Sequence, residues 1–218
     1  MPLFPLPNVV VLPGAVLPLH IFEPRYQRMT GEAITGDQLI AMALLRPGWE
    51  KNYHDRPAIE PVVCVGQIVA HERLDNGNYN LLLQGKLRAS VRKELSSGGE
   101  TPYRVADIAP LDESAAMEID LVQDRSRLVQ LFDSKPLAST SMGRQFARLL
   151  NGPMLTASIA DLIAFNYLED VDLKQTLLSD PDVRHRVAHI VSALACQSEH
   201  LPPNAEINLP DDHDPSLN

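Results

Sequence analysis

Pro13-Gly-Ala-Val-Leu-Pro-Leu-His-Ile-Phe-Glu-Pro-Arg-Tyr26 is the stretch on which the reading of the fold turns. Each of its prolines fixes φ and removes a backbone donor, so the segment cannot form a regular helix. The residues before Pro18 and Pro24 are pushed toward extended geometry, and Pro13-Gly14 signals a turn. The expectation is a short strand from Val16 to Phe22, with Glu23, Arg25 and Tyr26 as its polar end. Leu17, Leu19 and Ile21 share one side of such a strand, and Val16, His20 and Phe22 share the other. Both sides are apolar, which predicts a strand buried on both faces or wrapped round a barrel corner.

Working outward, residues 1–110 read as β-rich. Asp37 to Leu45 is compatible with a strand or a short helix, and Val62 to Ala70 is a clear strand. Asn76-Gly77 between apolar runs signals a two-residue hairpin, because both positions can take positive φ. Tyr79 to Gln84 returns as the partner, Gly85 marks a bulge or barrel corner, and Lys86 to Val91 continues. A further strand is expected near residues 103–108. Many short strands joined by turns point to a small barrel or folded sheet.

From Glu113 the apolar period becomes helical. Met117, Leu121, Leu128, Val129 and Phe132 predict a helix capped by Asp112, with Pro136 beyond its end. A second is expected over about residues 140–150, stopped by Asn151-Gly152-Pro153, and a third over 158–167. A short turn at 173–178 precedes a last helix capped by Asp180, with Pro181 in its first turn. Residues 201–218, rich in Pro, Asn and Asp, read as a disordered acidic tail. The expected class is therefore α+β, with a β-rich domain over 1–110, a helical bundle over 111–200 and the tail.

Net charge is −9 over 218 residues. Residues 1–110 balance 11 basic against 11 acidic side chains, so the whole excess lies in the second half, where no Lys or Arg follows Arg186. That argues against general affinity for nucleic acid or anionic membrane. The two cysteines, Cys64 and Cys196, form no disulfide framework, and a reduced cytoplasmic chain is the expectation. The leader has five prolines in its first 18 residues and no Lys or Arg before Arg25, unlike a signal peptide. No run reaches the ~20 apolar residues a membrane span needs.

Leu3-Phe4-Pro5-Leu6, Val9-Val-Val-Leu12 and the Pro13–Tyr26 stretch together resemble the opening of the Lon substrate-binding domain, the N-terminal domain of the ATP-dependent protease La. Val11-Leu12-Pro13-Gly14 departs from the family pattern in lacking an aromatic before Pro-Gly. Val65-Gly66, Asn76-Gly77, Gly85 and Arg88 are similar to a second signature, and the region from Leu177 to Ile190 to a late one. The resemblance spans roughly residues 3–195 and favours a strand for 37–45. It implies a PUA-like barrel or folded sheet followed by a helical bundle. It also implies a stand-alone, non-catalytic module that recognises unfolded or tagged polypeptide segments in a groove between barrel and bundle, without a cofactor.

The chemistry-bearing motifs fit that picture. No Gly-x4-Gly-Lys-Ser/Thr phosphate loop and no Gly-x-Ser-x-Gly elbow occurs, and the family's serine–lysine peptidase segment is missing. His185 and His189 lie one helical turn apart, with Cys196 and His200 continuing the stripe. Arg186 stands where a HExxH motif needs glutamate, so the stripe reads as an exposed polar face rather than a metal site. His20, Phe22, Glu23, Arg25 and Tyr26 are candidates for a peptide-binding cluster or for a polar clamp. In the clamp, Glu23 pairs with Arg25 along a strand face while Tyr26 donates to backbone. Lys86, Arg88, Arg92 and Lys93 form a basic cluster that a PUA-like RNA reader could use, but no aromatic interleaves it. An adaptor that docks on a partner machine through the acidic helical half and tail is the other alternative.

Overall fold

The computed structural model describes residues 1–53, 56–95, 101–135 and 137–200. The expected tail at 201–218 and Pro136 lie outside them. Strands β1 (Pro2–Leu6), β2 (Val16–Ile21), β3 (Leu39–Leu44), β4 (Val62–Arg73), β5 (Tyr79–Leu95) and β6 (Arg104–Pro110) run in the order β2-β5-β4-β3-β1-β6. An additional β5–β6 pairing closes the sheet. Closure is possible because β5 is long enough to hold two partners along one edge. Its first half pairs with β2 and its second half with β6. The pairs are antiparallel except β1 with β3, which is parallel.

The small cluster Leu3, Ala41, Ala43, Val63, Val65, Ala89 and Ala106 draws on all five closed strands, so it fills the barrel interior. Alanines dominate because a five-stranded barrel is too narrow for larger side chains throughout. The larger core lies on the outer face of the sheet. There Phe4, Ile40, Met42, Cys64, Leu81 and Leu83 pack with the helices. Each fully buried Leu or Ile contributes roughly 1.5–3 kcal/mol.

Helix α1 (Pro24–Thr35) was not anticipated. The prolines of this stretch argue against helix, but Pro24 occupies the first turn, where φ near −65° is already helical and no donor is missed. Tyr26, Met29, Thr30 and Ala33 form its buried face at i, i+3, i+4 and i+7 spacing. Strand β2 is also corrected. Its side chains alternate between exposed and covered, because it is the outermost strand and only the Leu17, Leu19 and Ile21 side meets the core.

The β4–β5 hairpin differs in its turn. Gly77 N–H donates to Leu74 O and Leu74 N–H to Asn78 O, both at 2.9 Å. Gly77 sits at φ 87°, and Gln38 is the one non-glycine at positive φ among the described residues. The connection is thus a turn closed by a left-handed glycine, not a pair of left-handed residues. A bulge falls at Gly85 as expected: Val65 opposes Leu87 and Gly66 opposes Gly85, leaving Lys86 unopposed. At this point β5 crosses the leader, with Gly14 N–H donating to Gly85 O and Gly85 N–H to Ala15 O. A Cβ on Gly85 would lie 2.4 Å from Leu12 O.

The remaining helices are α2 (Val122–Asp133), α3 (Ser141–Leu150), α4 (Thr156–Tyr167), α5 (Val171–Ser179) and α6 (Val183–His200). Residues 112–117 are not helical, so Asp112 caps nothing and Met117 is exposed. The 173–178 turn is part of helix α5. The cap of α6 is Asp182, two residues beyond the expected Asp180, with Oδ1 accepting from Arg184 N–H at 2.8 Å and His185 N–H at 3.3 Å.

Candidate functional site

The leader motif divides between two surfaces. On the exposed face of β2, β5 and β4, Pro18, Leu82 and Ala70 lie side by side across the strands, and His20, Asn80 and Glu72 form the next row. These residues line a shallow, mostly apolar groove of about 480 Å³. Phe22, 62% exposed, adjoins it, with its ring centre 6.3 Å from that of His20 and the two planes inclined by 23°. The groove is held by a neutral polar network whose orientations can be derived. Gln27 Nε2 donates to Phe22 O at 3.2 Å and to Asn78 Oδ1 at 2.9 Å. That leaves Asn78 Nδ2 facing His20 Nε2 at 3.1 Å. Nε2 must then accept, so Nδ1 carries the proton and donates to Asn80 Oδ1 at 2.7 Å. Helix α1, the edge strand and the hairpin are tied together by this chain.

Glu23, Arg25 and Tyr26 turn the other way and form a clamp with a member absent from the sequence reading. Arg25 Nε donates to Glu23 Oε2 at 3.0 Å, and Tyr53 hydroxyl donates to Glu23 Oε1 at 2.9 Å. The Arg25 guanidinium lies 4.5 Å from the Tyr26 ring centre and 5.1 Å from that of Tyr53. Glu23 and Arg25 meet at a helix start rather than along a strand face. Tyr26 contributes its ring, which also packs 4.5 Å from Phe4. Burial pushes the Tyr26 hydroxyl up to about 12, against the lowering effect of Arg25.

The clamp reaches further through Tyr53, whose ring meets Trp49 edge-on at 5.5 Å. Trp49 begins a short 3-10 turn, Trp49–Asn52, and forms part of the groove between barrel and helices. That groove, about 800 Å³, runs along α5 and is lined by Leu44, Leu45, Pro47 and Val171 together with polar side chains. It is where the sequence reading placed an apolar peptide cleft, and its wall is more polar than that reading supposed. Trp49 and Tyr53 lie outside the leader motif, and the sequence signal for them is a lone Trp directly after Pro47-Gly48.

The basic cluster is not a cluster. Lys86, Arg92 and Lys93 are exposed, but Arg88 is only 3% exposed. The bulge at Lys86 reverses the alternation of β5, so Arg88 faces the helices rather than solvent. Its guanidinium donates to both oxygens of Asp161 on α4, at 2.9 and 2.7 Å, and to Glu113 Oε1 at 3.1 Å. Glu113 Oε2 also accepts from Arg186 of α6 at 3.2 Å. Burial opposes the charge on Arg88, but Asp161 and Glu113 outweigh it and hold its pKa above the ordinary value. The signal for this hub was Asp161, a single carboxylate inside the apolar run Ile159–Ala164.

On α6, His185, His189 and Cys196 are exposed while Arg186 is buried. Among the described residues no group of three or more His, Cys, Asp or Glu could hold a metal ion; the His200 side chain lies outside them. Among the described residues, no helix is long and apolar enough to cross a membrane.

Residues 1–195 match the family model of the ATP-dependent protease La (LON) substrate-binding domain. The chain is 25% identical over 212 residues to Lon protease 2 of Myxococcus xanthus, covering 92% of this chain and 24% of that one. It is 28% identical over 203 residues to Lon protease 2 of Syntrophobacter fumaroxidans, covering 91% and 25%. The chain thus spans about a quarter of the length of these relatives. In solved structures, the N-terminal domain of Mycobacterium avium complex Lon protease superposes with a TM-score of 0.69 at 16% identity, covering 92% of this chain and 98% of that one. The Lon N-terminal domain protein of Xanthomonas campestris gives 0.58 at 21% identity, covering 88% and 96%. These two likenesses establish a shared fold.

Proposed function

Because the chain belongs to the Lon substrate-binding domain family, we propose that it is a non-catalytic module that binds unfolded or tagged polypeptide segments on the outer face of β2, β5 and β4. The match extends over the substrate-binding domain and not over an ATPase or peptidase domain. The observation that carries the reading is Phe22, a large apolar side chain left 62% exposed beside an apolar groove in which His20 and Asn80 are already paired with each other. Such a residue leaves its apolar area in water and offers an aromatic anchor to an apolar partner side chain. Pro18 argues for docking in the groove over strand addition. Proline sits in an edge strand where its missing N–H faces outward, so β2 lacks one of the donors a new strand would need.

The test is fluorescence anisotropy with a labelled apolar peptide and with a reduced, alkylated protein that cannot fold. Binding in the micromolar range, weakened about tenfold by Phe22→Ala, supports the reading. Absence of binding to both ligands at high micromolar concentration ends it, whatever the fold.

A second reading, docking on a partner machine, draws on another exposed apolar surface. Arg125 donates to Leu150 O, Gly152 O, Met154 O and Thr156 Oγ1, and Glu118 accepts from Thr156 N–H and Oγ1. These bonds bring Met117, Ile119, Val122 and Leu155, all exposed, to one region. Pull-down of a partner that is lost with Ile119→Asp would favour it.

A further inference from the structure

We propose that the cleft between the barrel and α5 binds a basic polypeptide segment, seating a Lys or Arg side chain against Trp49 and the surrounding carboxylates. This rests on the polypeptide-binding reading above and adds a second surface with a different preference.

Charge is the first reason. Glu50, Glu60, Asp170, Asp172 and Asp180 line the cleft, and among the described residues no Lys or Arg does. Glu60 is paired with Arg46 at 3.2 Å, and Asp170 and Asp180 each accept backbone N–H groups. Among the described residues, no cation pairs with Glu50 or Asp172. The carboxylates are spread along the cleft, and no group among the described residues could hold a metal ion. An extended ligand carrying several positive charges matches that distribution better than a single ion.

The second reason is an acceptor left without a donor. Gln175 also lines this cleft and is only 7% exposed. Its Nε2 donates to Val62 O at 3.0 Å and Ser179 Oγ at 3.1 Å. Val62 O can only accept, so the amide orientation is set and Oε1 is the remaining atom. Oε1 is buried and has no hydrogen-bond partner among the described residues. A buried acceptor without a donor is costly, and an ammonium or guanidinium N–H arriving in the cleft would satisfy it. Trp49 supplies the third element, an aromatic wall for a cation, already positioned by Tyr53 and through it by Glu23. The volume, about 800 Å³, accommodates a long side chain with its flanking backbone.

Trp49 is the only tryptophan in the chain, so its emission reports on the cleft. The whole chain is titrated with an oligolysine peptide, and in parallel with oligoglutamate, with spermine and with the apolar peptide of the preceding test. Oligolysine is expected to change Trp49 emission saturably and to bind more weakly as NaCl is raised. Glu50→Gln combined with Asp172→Asn is expected to weaken it about tenfold. Both residues are exposed, and far-UV circular dichroism checks that the variant folds. Equal response to oligolysine and oligoglutamate overturns the proposal, as does an unaltered oligolysine affinity in the double variant. Spermine binding as tightly as oligolysine also overturns it, by removing the need for a polypeptide. Apolar-peptide binding reports on the earlier reading alone, so a parent chain that binds the apolar peptide but not oligolysine rejects the cleft and leaves that reading standing.

Discussion

Arg88 and Asp161 meet as a buried bidentate pair, 73 residues apart in sequence, with guanidinium nitrogens 2.9 and 2.7 Å from the two carboxylate oxygens. The pair pins the long strand β5 to helix α4, and Glu113 extends it to Arg186 on α6. A network of this kind specifies how the helices sit on the sheet, whether or not it adds net stability.

Removing one partner is expected to be far worse than removing both. Asp161→Ala leaves a buried guanidinium with only Glu113 and should cost roughly 3–5 kcal/mol in urea unfolding. Arg88→Met combined with Asp161→Leu should recover most of that loss. A single variant of wild-type stability would show the pair to be dispensable.

Gly85→Ala should destabilise the protein by about 1–3 kcal/mol or more. Its new methyl would meet backbone, Leu12 O at 2.4 Å, and not a side chain that can rotate away. Chemical denaturation measures the cost. An alanine variant as stable as the parent would mean that the leader can move off β5.

The two cysteines should differ sharply in reactivity. Burial pushes the Cys64 thiol up to about 12 and excludes reagent, whereas Cys196 is exposed. At pH 8 an aromatic disulfide reagent should label Cys196 promptly and Cys64 only on unfolding, because the thiolate is the nucleophile. Rapid labelling of both in native buffer contradicts the packing around β4.

Stability should fall on the alkaline side. Tyr26, Tyr103 and Cys64 are all raised to about 12, in each case chiefly by burial. Below about pH 8 these groups are largely protonated both folded and unfolded, and their contribution is fully present. Between about 9 and 12 the unfolded chain ionises first and gains, so the folded state loses ground as pH rises. Thermal melts from pH 8 to 11 should show a falling Tm. Tyrosinate absorbance should show part of the tyrosine signal appearing late.

Tyr53→Phe should loosen the wall formed by Trp49 without unfolding the barrel. The hydroxyl donates to Glu23 at 2.9 Å and the ring props Trp49 at 5.5 Å. A partly exposed hydrogen bond of this kind is worth about 1 kcal/mol, so Tm should move little. The Trp49 emission should shift to the red and become easier to quench. An unchanged spectrum would separate the clamp from the cleft.

Local chemistry was enough for the apolar run of Val62–Ala70, the place of the Gly77 turn though not its type, the bulge at Gly85 and the helical period after residue 117. Proline geometry, strand alternation and helical spacing act over a few residues, and those residues carry the information. The limits of that reach show at Pro24, a residue that argues against helix when read alone and yet opens one. They show again at His20, Phe22 and Arg88, whose exposure depends on which strand lies at the edge and on a single unopposed lysine that reverses the faces of β5. The partnership of Tyr53 with Glu23, the capture of Arg88 by Asp161 and the gathering of carboxylates around Trp49 join residues 30 to more than 100 positions apart. No periodicity extends that far. Such contacts arise only when the barrel closes and the helices settle on it, because burial is a property of the packed chain and not of any segment within it.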